Sequence, residues 1–138
     1  MKTKLVQFIP VALALLAVGF RYFSNWCIFT NSACYGTTIS HISLTITKPL
    51  YFFALYFLPI AIVLAFVSRE IFKSWIKFSV LAIPLAIIFI VTTPVIDNSL
   101  LPFSRDDAAR LAGQAFSVAS FALIIYKHFS LRRNSGQV

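Results

Sequence analysis

Four long apolar stretches of the chain contain no Asp, Glu, Lys, Arg or His, and this pattern constrains the fold more than any other feature. A helix needs about 20 mostly apolar residues, within a range of roughly 17–25, to cross the hydrocarbon core of a bilayer. The second and third stretches qualify alone, and the fourth qualifies with its flanking alanines. The first qualifies if Tyr22 and Phe23 are included and the Arg21 side chain snorkels to the interface. The stretches cover residues 5–20, 50–67, 78–96 and 111–126.

This pattern predicts an all-α integral membrane protein, a four-transmembrane-helix bundle that forms a single domain over residues 1–138. Hydrophobic residues make up 59% of the chain and charged residues 12%, and this charged fraction is about half that of a soluble domain. The connection between the first two helices is long, about 28 residues from Arg21 to Lys48, which is uncommon in a compact protein. The predicted spans are residues 5–23, 49–67, 77–96 and 106–127, with an outer loop at 24–47 and a disordered tail at 130–138.

The first apolar stretch also has features of a signal peptide. Lys2 and Lys4 precede it, and the small residues at 17–19 form a tolerable cleavage site. We expect the segment to be retained as a signal anchor.

The chain carries a net charge of +8, from 12 basic and 4 acidic residues. Basic residues concentrate in short cytoplasmic loops, so we expect a bacterial inner (plasma) membrane protein with both termini in the cytoplasm. Charge that is scattered beside membrane spans is explained by topology and anionic lipid headgroups, which argues against nucleic acid as a partner. The inner side then holds eight basic residues, Lys2, Lys4, Arg69, Lys73, Lys77, Lys127, Arg132 and Arg133, and the outer side holds Arg21, Lys48, Arg105 and Arg110.

The last apolar stretch lies between clear helix start and stop signals. Ser104 can accept hydrogen bonds from free backbone N–H groups, and Asp107 three residues later makes an acidic variant of the capping box. Asp106 adds negative charge to the first turn, and Lys127 and His128 add positive charge near the last carbonyls. These signals predict one long helix.

Alanines follow one face of this helix at spacings of 4, 3, 4 and 3 residues. In lipid, small residues that let helix backbones approach are the usual contact surface, and a period of 3.5 predicts a left-handed crossing. We favour packing of this face within the chain's own bundle, and a partner-binding face is the alternative. The predicted face consists of Ala108, Ala112, Ala115, Ala119 and Ala122, and Ala109, Gly113, Ser117 and Ser120 extend the small surface along one flank.

Cys27 and Cys34 are the only cysteines, and both lie in the predicted outer loop. On an oxidising side of the membrane, two cysteines at this separation favour a structural disulfide, and two free thiols are the alternative. A redox catalyst would need a reactive C-x-x-C motif or a second pair. With His41 these residues make at most three metal ligands, at no familiar zinc spacing. Alternating apolar residues at 42–47 indicate a short strand or extended segment in the same loop.

The second helix carries an aromatic cluster in its outer half. We favour a role for this cluster in the bundle core and the aromatic belt, and a site for a flat hydrophobic ligand such as a quinone is the alternative. Trp75 is expected at the headgroup level, in a segment, 68–77, that forms either a short interfacial helix or two adjoining helix ends. The cluster consists of Tyr51, Phe52, Phe53, Tyr56 and Phe57.

The four stretches lack the charged residue or histidine that proton- and ion-coupled transporters usually carry inside a span. The sequence also has no metal motif, phosphate loop or nucleophile constellation, so we expect neither an enzyme nor a cofactor. The lipid bilayer is the first expected partner, and a membrane protein or a second copy is the next.

Two classes of function remain. In the first, the chain is an accessory or assembly subunit that packs laterally on a larger membrane protein, which the small-residue face and the short loops favour. In the second, it self-associates into a pore or holin-like assembly, although no span has a polar lining. A toxin-immunity role fits the small, basic, polytopic architecture, but architecture alone does not define function.

Overall fold

A computed structural model describes residues 2–30, 41–94 and 103–135. All regular structure within these ranges is helical, as predicted, and four helices are long and apolar enough to cross a membrane. The helices are α1 (Lys2–Gln7), α2 (Ile9–Thr30), α3 (Lys48–Phe66), α4 (Arg69–Thr92) and α5 (Arg105–Ser135), and a π-helical turn (Ser43–Thr47) leads directly into α3.

The connection between α2 and α3 has more helix than predicted. Residues 24–30 continue α2, and residues 41–47 are already helical, so the loop predicted at 24–47 was too long at both ends. Cys34 lies outside the described residues. The helix that contains the first predicted span therefore continues past residue 23.

The π turn replaces the strand that the alternating residues predicted at 42–47, and that prediction was wrong. Ser43 and Thr47 are almost fully buried, whereas Ile42 and Ile46 are exposed. A guanidinium nitrogen of Arg21 donates to the Ser43 hydroxyl at 2.8 Å. The alternation was misleading because in lipid the apolar side chains of a helix can point outward while small polar ones face its neighbours.

The turn between α3 and α4 contains only Val67 and Ser68. Of the two interpretations of residues 68–77, the structure has adjoining helix ends, because α4 begins at Arg69 rather than at the predicted residue 77. The amide of Gln7 in α1 donates to the Val67 carbonyl at 3.2 Å, which satisfies an acceptor at the end of α3.

The predicted capping box at the start of α5 is confirmed. The Ser104 backbone N–H and hydroxyl both donate to Oδ2 of Asp107, at 3.1 and 2.6 Å, and the Asp107 N–H donates back to the Ser104 hydroxyl at 3.4 Å. These reciprocal bonds use backbone donors that have no partner inside the helix.

The far end of α5 differs from the prediction. Residues 130–135 continue the helix instead of forming a disordered tail, and residues 136–138 lie outside the described part. A helix of 31 residues is about 46 Å long, against about 30 Å for the hydrocarbon core. The length of α5 thus exceeds what is needed to cross the hydrocarbon core.

The four long helices pack in the spatial order α2, α3, α5, α4. The main contacts join α2 to α3, α3 to α5, and α5 to α4, so α3 and α5 are central. The edge helices α2 and α4 bury the smallest shares of their apolar windows. The arrangement is thus an open row rather than a bundle in which every helix has two neighbours.

The described hydrophobic core lies among α3, α4 and α5, towards the end where α3 finishes and α4 begins. We call this end the lower end, and the opposite end, where α5 begins, the upper end. The most buried apolar side chains of this core are Ile60, Leu64, Ile71, Phe72, Trp75, Phe116 and Ile124.

At the upper end, Arg105 joins three parts of the fold. Its guanidinium donates to the carbonyls of Thr93 at 3.0 Å, Val91 at 3.2 Å and Thr45 at 3.4 Å. The first two carbonyls belong to the end of α4, where acceptors lack helical partners and a cation is favoured. Arg105 therefore fixes the start of α5 to the end of α4 and to the π turn.

Replacement of Arg105 by glutamine should lower the free energy of unfolding by about 2–3 kcal/mol, because hydrogen bonds from a charged donor are each worth about 1.5–3 kcal/mol and are not additive. Steric trapping in bicelles measures this loss. The control is Arg110→Gln, which removes the same charge. The guanidinium carbon of Arg110 lies 4.1 Å from the centroid of the Phe52 ring, and the control loses only this contact. Equal losses in both variants would contradict the role of Arg105.

Candidate interaction surface

The contact between α3 and α5 is built on small residues of α5. A Cβ added to Gly113 would lie 3.2 Å from Cα of Phe53 and 3.2 Å from Cβ of Tyr56. The hydroxyl of Ser117 donates to the Tyr56 carbonyl at 2.6 Å. The two backbones approach closely here because Gly113 has no side chain and Ser117 has a short one.

The buried and half-buried residues of α5 form rows that repeat every four positions. Ala109, Gly113 and Ser117 form one row, and Ala108, Ala112, Phe116, Ser120 and Ile124 form a second, all of them buried or half-buried. A spacing of four is the small-xxx-small pattern of close helix pairs in membranes. The packed face therefore combines the flank of the predicted stripe with the first two alanines of the stripe itself.

The predicted alanine stripe is divided between two environments. Ala108 and Ala112 are buried together with Gly113, which agrees with packing inside the chain's own fold. Ala115, Ala119 and Ala122 are exposed. Only part of the stripe is thus used by the fold, and the rest is available at the surface of the described part.

Two of the exposed alanines line a groove of about 360 Å³ between α4 and α5. Small residues occur on both walls, and Ala122 lies outside the groove. All the residues that line the groove belong to α4 and α5, and the main packing contacts of α4 in the described chain are with α5 alone. Its small residues are Ala82 and Ala86 on α4 and Ala112, Ala115 and Ala119 on α5, and its larger ones are Phe78, Leu85, Phe89, Leu111 and Phe116.

The aromatic side chains of α3 pack inside the fold. Phe116 of α5 lies between Phe53 and Phe57, with ring centroids 5.7 and 5.6 Å away. Phe57 also stacks on Trp75 at 6.0 Å. Because these rings pack against one another, their faces are not available to a flat ligand. This part of the aromatic cluster therefore belongs to the hydrophobic core, as the favoured interpretation of the sequence predicted.

Trp75 packs inside the described fold, and its predicted depth at the headgroup level stays a prediction. It is almost fully buried, and its indole N–H donates to the Ser120 hydroxyl at 3.1 Å. The Ser79 hydroxyl donates to the Trp75 carbonyl at 2.9 Å. A buried tryptophan needs a partner for its N–H, and the small residue Ser120 supplies that partner and leaves room for the indole.

An ion pair joins two helix starts at the upper end. Lys48 forms an ion pair with Asp106, which joins the start of α3 to the start of α5. Within the ranges that the structure describes, no three His, Cys, Asp or Glu side chains lie close enough to hold a metal ion. Cys27 is half-buried near the end of α2, and since Cys34 is not among the described residues the Cys27–Cys34 bond stays a prediction.

Sequence reasoning missed three parts of this surface: the division of the stripe, the groove, and the partner of Trp75. One available signal was the row of Ala109, Gly113 and Ser117, whose spacing of four marks a close helix contact. The groove had no such signal, because its second wall comes from alanines of another helix, whose pairing with α5 depends on the three-dimensional order of the helices.

No family model, curated protein or solved structure matches the chain. We therefore infer its function from the residues of this chain alone.

Proposed function

We propose that the chain is an accessory subunit of a larger membrane protein and that it docks a helix of that protein in the groove between α4 and α5. The observation that carries this proposal is the groove itself, whose two walls, on α4 and α5, both present small residues. Lipid tails can cover any apolar face, but small residues on both walls do not improve their van der Waals contacts. A partner helix does make better van der Waals contacts there, because its backbone can approach closely.

We further propose that the lower end faces the cytoplasm, as the distribution of basic residues predicts. The basic residues at the upper end all have partners that join helix ends or cover an aromatic ring, so their presence there is explained by structure. The observed partners are Ser43 for Arg21, Asp106 for Lys48, three backbone carbonyls for Arg105 and the Phe52 ring for Arg110.

A second copy of the chain could occupy the same groove, and this defines the alternative of self-association. The lining of the groove is apolar. A conducting pore needs polar or charged groups along its wall, or a hydrophobic constriction that is wetted when open. We therefore favour a helix–helix contact with another protein over a pore or holin-like assembly, and the composition of the native particle distinguishes the two.

Replacement of Ala119 by leucine should reduce recovery of the partner by about tenfold or more, because a side chain that fills the groove prevents close approach, at a cost of about 1–3 kcal/mol. Tagged chain is extracted from its native membrane with a mild detergent, and the co-purified protein is quantified by mass spectrometry relative to the bait.

The matched control is Ala122→Leu, which makes the same change on the same helix at an exposed position outside the groove. It should leave recovery unchanged. Equal recovery from wild type, Ala119→Leu and Ala122→Leu would show that this surface faces lipid and would refute docking in the groove.

A further inference from the structure

A second and larger groove, of about 970 Å³, lies at the lower end between α3 and α5. Its walls are apolar: Ile62, Val63 and Phe66 come from α3, and Ile125 and Phe129 come from α5. These five side chains are exposed, so the chain itself does not cover them. The groove therefore offers a long apolar surface to any molecule that reaches the lower end from the side.

Basic side chains border the same groove. His128 and Arg132 contribute to its lining, and both are exposed. They lie on the last turns of α5, the helix whose length exceeds the hydrocarbon thickness of a bilayer. The groove thus combines apolar walls with positive charge at one end.

The surrounding charge has the same sign. Lys127 and Arg133 lie next to the groove in the sequence of α5, and Arg69 begins α4 beside the turn that closes the lower end. Glu70 is the only acidic residue of the described sequence near this turn. An anionic ligand is therefore favoured here over a neutral or cationic one.

We propose that this groove binds an anionic phospholipid. The acyl chain lies along the walls formed by α3 and α5, and the phosphate accepts hydrogen bonds from the guanidinium of Arg132. Arginine suits this role because its planar donors match the geometry of phosphate oxygens and are only weakly hydrated. Basic pockets between transmembrane helices on the cytoplasmic side are a recurrent type of site for such headgroups.

The site is independent of the groove between α4 and α5, because no residue lines both. Loss of lipid binding and loss of partner binding can thus be measured separately. A bound lipid would also fill the space between the ends of α3 and α5, where the chain leaves apolar side chains uncovered.

The test is native mass spectrometry of the purified chain in dodecyl maltoside after equilibration with equal amounts of phosphatidylglycerol and phosphatidylcholine. Wild type should retain phosphatidylglycerol preferentially. Arg132→Gln should lower that retention by about fivefold, the effect of one basic residue near an anionic lipid surface. Arg133→Gln, which removes the same charge from the adjacent exposed position outside the groove, should have little effect.

A second variant tests the apolar wall without changing charge. Ile62→Trp places a larger side chain at an exposed position of the groove and should lower the retention of phosphatidylglycerol while leaving the folded protein intact. Equal retention of both lipids by wild type would overturn the proposal. So would equal losses in Arg132→Gln and Arg133→Gln, since they would indicate attraction by general surface charge instead of a site.

Discussion

Replacement of Gly113 by leucine is expected to separate α5 from α3 and to cost more than about 3 kcal/mol of folding free energy. The first added atom, Cβ, would already lie 3.2 Å from Cα of Phe53 and 3.3 Å from its carbonyl oxygen. These are backbone atoms of a helix, so they cannot move aside as the end of a flexible side chain could. The remaining atoms of the leucine have no space unless the two helices separate.

Two further variants provide reference unfolding free energies for this prediction. Gly113→Ala adds only Cβ and requires a shift of a few tenths of an ångström, so we expect a loss of about 1 kcal/mol. Gly19→Leu makes the large change on α2, where an added Cβ meets nothing within 4 Å, and should be neutral. Steric trapping in bicelles measures all three unfolding free energies. If Gly113→Leu were as stable as Gly19→Leu, the close α3–α5 contact would be refuted.

Replacement of Trp75 by alanine is expected to cost about 2–3 kcal/mol. In soluble cores a Trp→Ala change costs about 3–5 kcal/mol, of which part is the transfer of apolar surface out of water. In a bilayer the separated helices are surrounded by lipid tails that are as apolar as leucine, so the transfer contribution is largely absent. What remains is the loss of contacts with Phe57, Phe72 and Phe116, and of the hydrogen bond to Ser120.

Variants of the same pair separate the ring from its hydrogen bond. Trp75→Phe keeps an aromatic ring but leaves the buried Ser120 hydroxyl without its donor, and should cost about 1 kcal/mol, the typical value of one hydrogen bond. Adding Ser120→Ala should recover part of this loss, because the unpaired hydroxyl is removed. The same unfolding assay applies. A Trp75→Ala protein as stable as wild type would contradict the packing of Trp75 between α3, α4 and α5.

The parts of the fold that sequence predicted correctly depend on local chemistry. Four long stretches that are both apolar and free of charge predict four helices of spanning length, whatever their neighbours are. Ser104 and Asp107 form their capping box from residues three positions apart. Neither result depends on how the helices are ordered in space.

The parts that sequence could not predict depend on which helix lies beside which. Ala112 and Ala119 belong to one alanine stripe, yet only Ala112 is buried, because α3 and α4 meet α5 at particular heights and angles. Trp75 resembles an interfacial anchor until Ser120 and Phe57 are placed beside it. In lipid, apolar residues suit both the surface and the core, so hydrophobicity does not distinguish them.

The most direct test of the proposed subunit role is native mass spectrometry of the particle released gently from its own membrane. We predict one copy of the chain bound to a different, larger membrane protein at constant stoichiometry, and loss of that protein in Ala119→Leu but not in Ala122→Leu. A closed ring of identical copies would contradict this account and favour the pore. A lone chain that retains only lipid would contradict it as well.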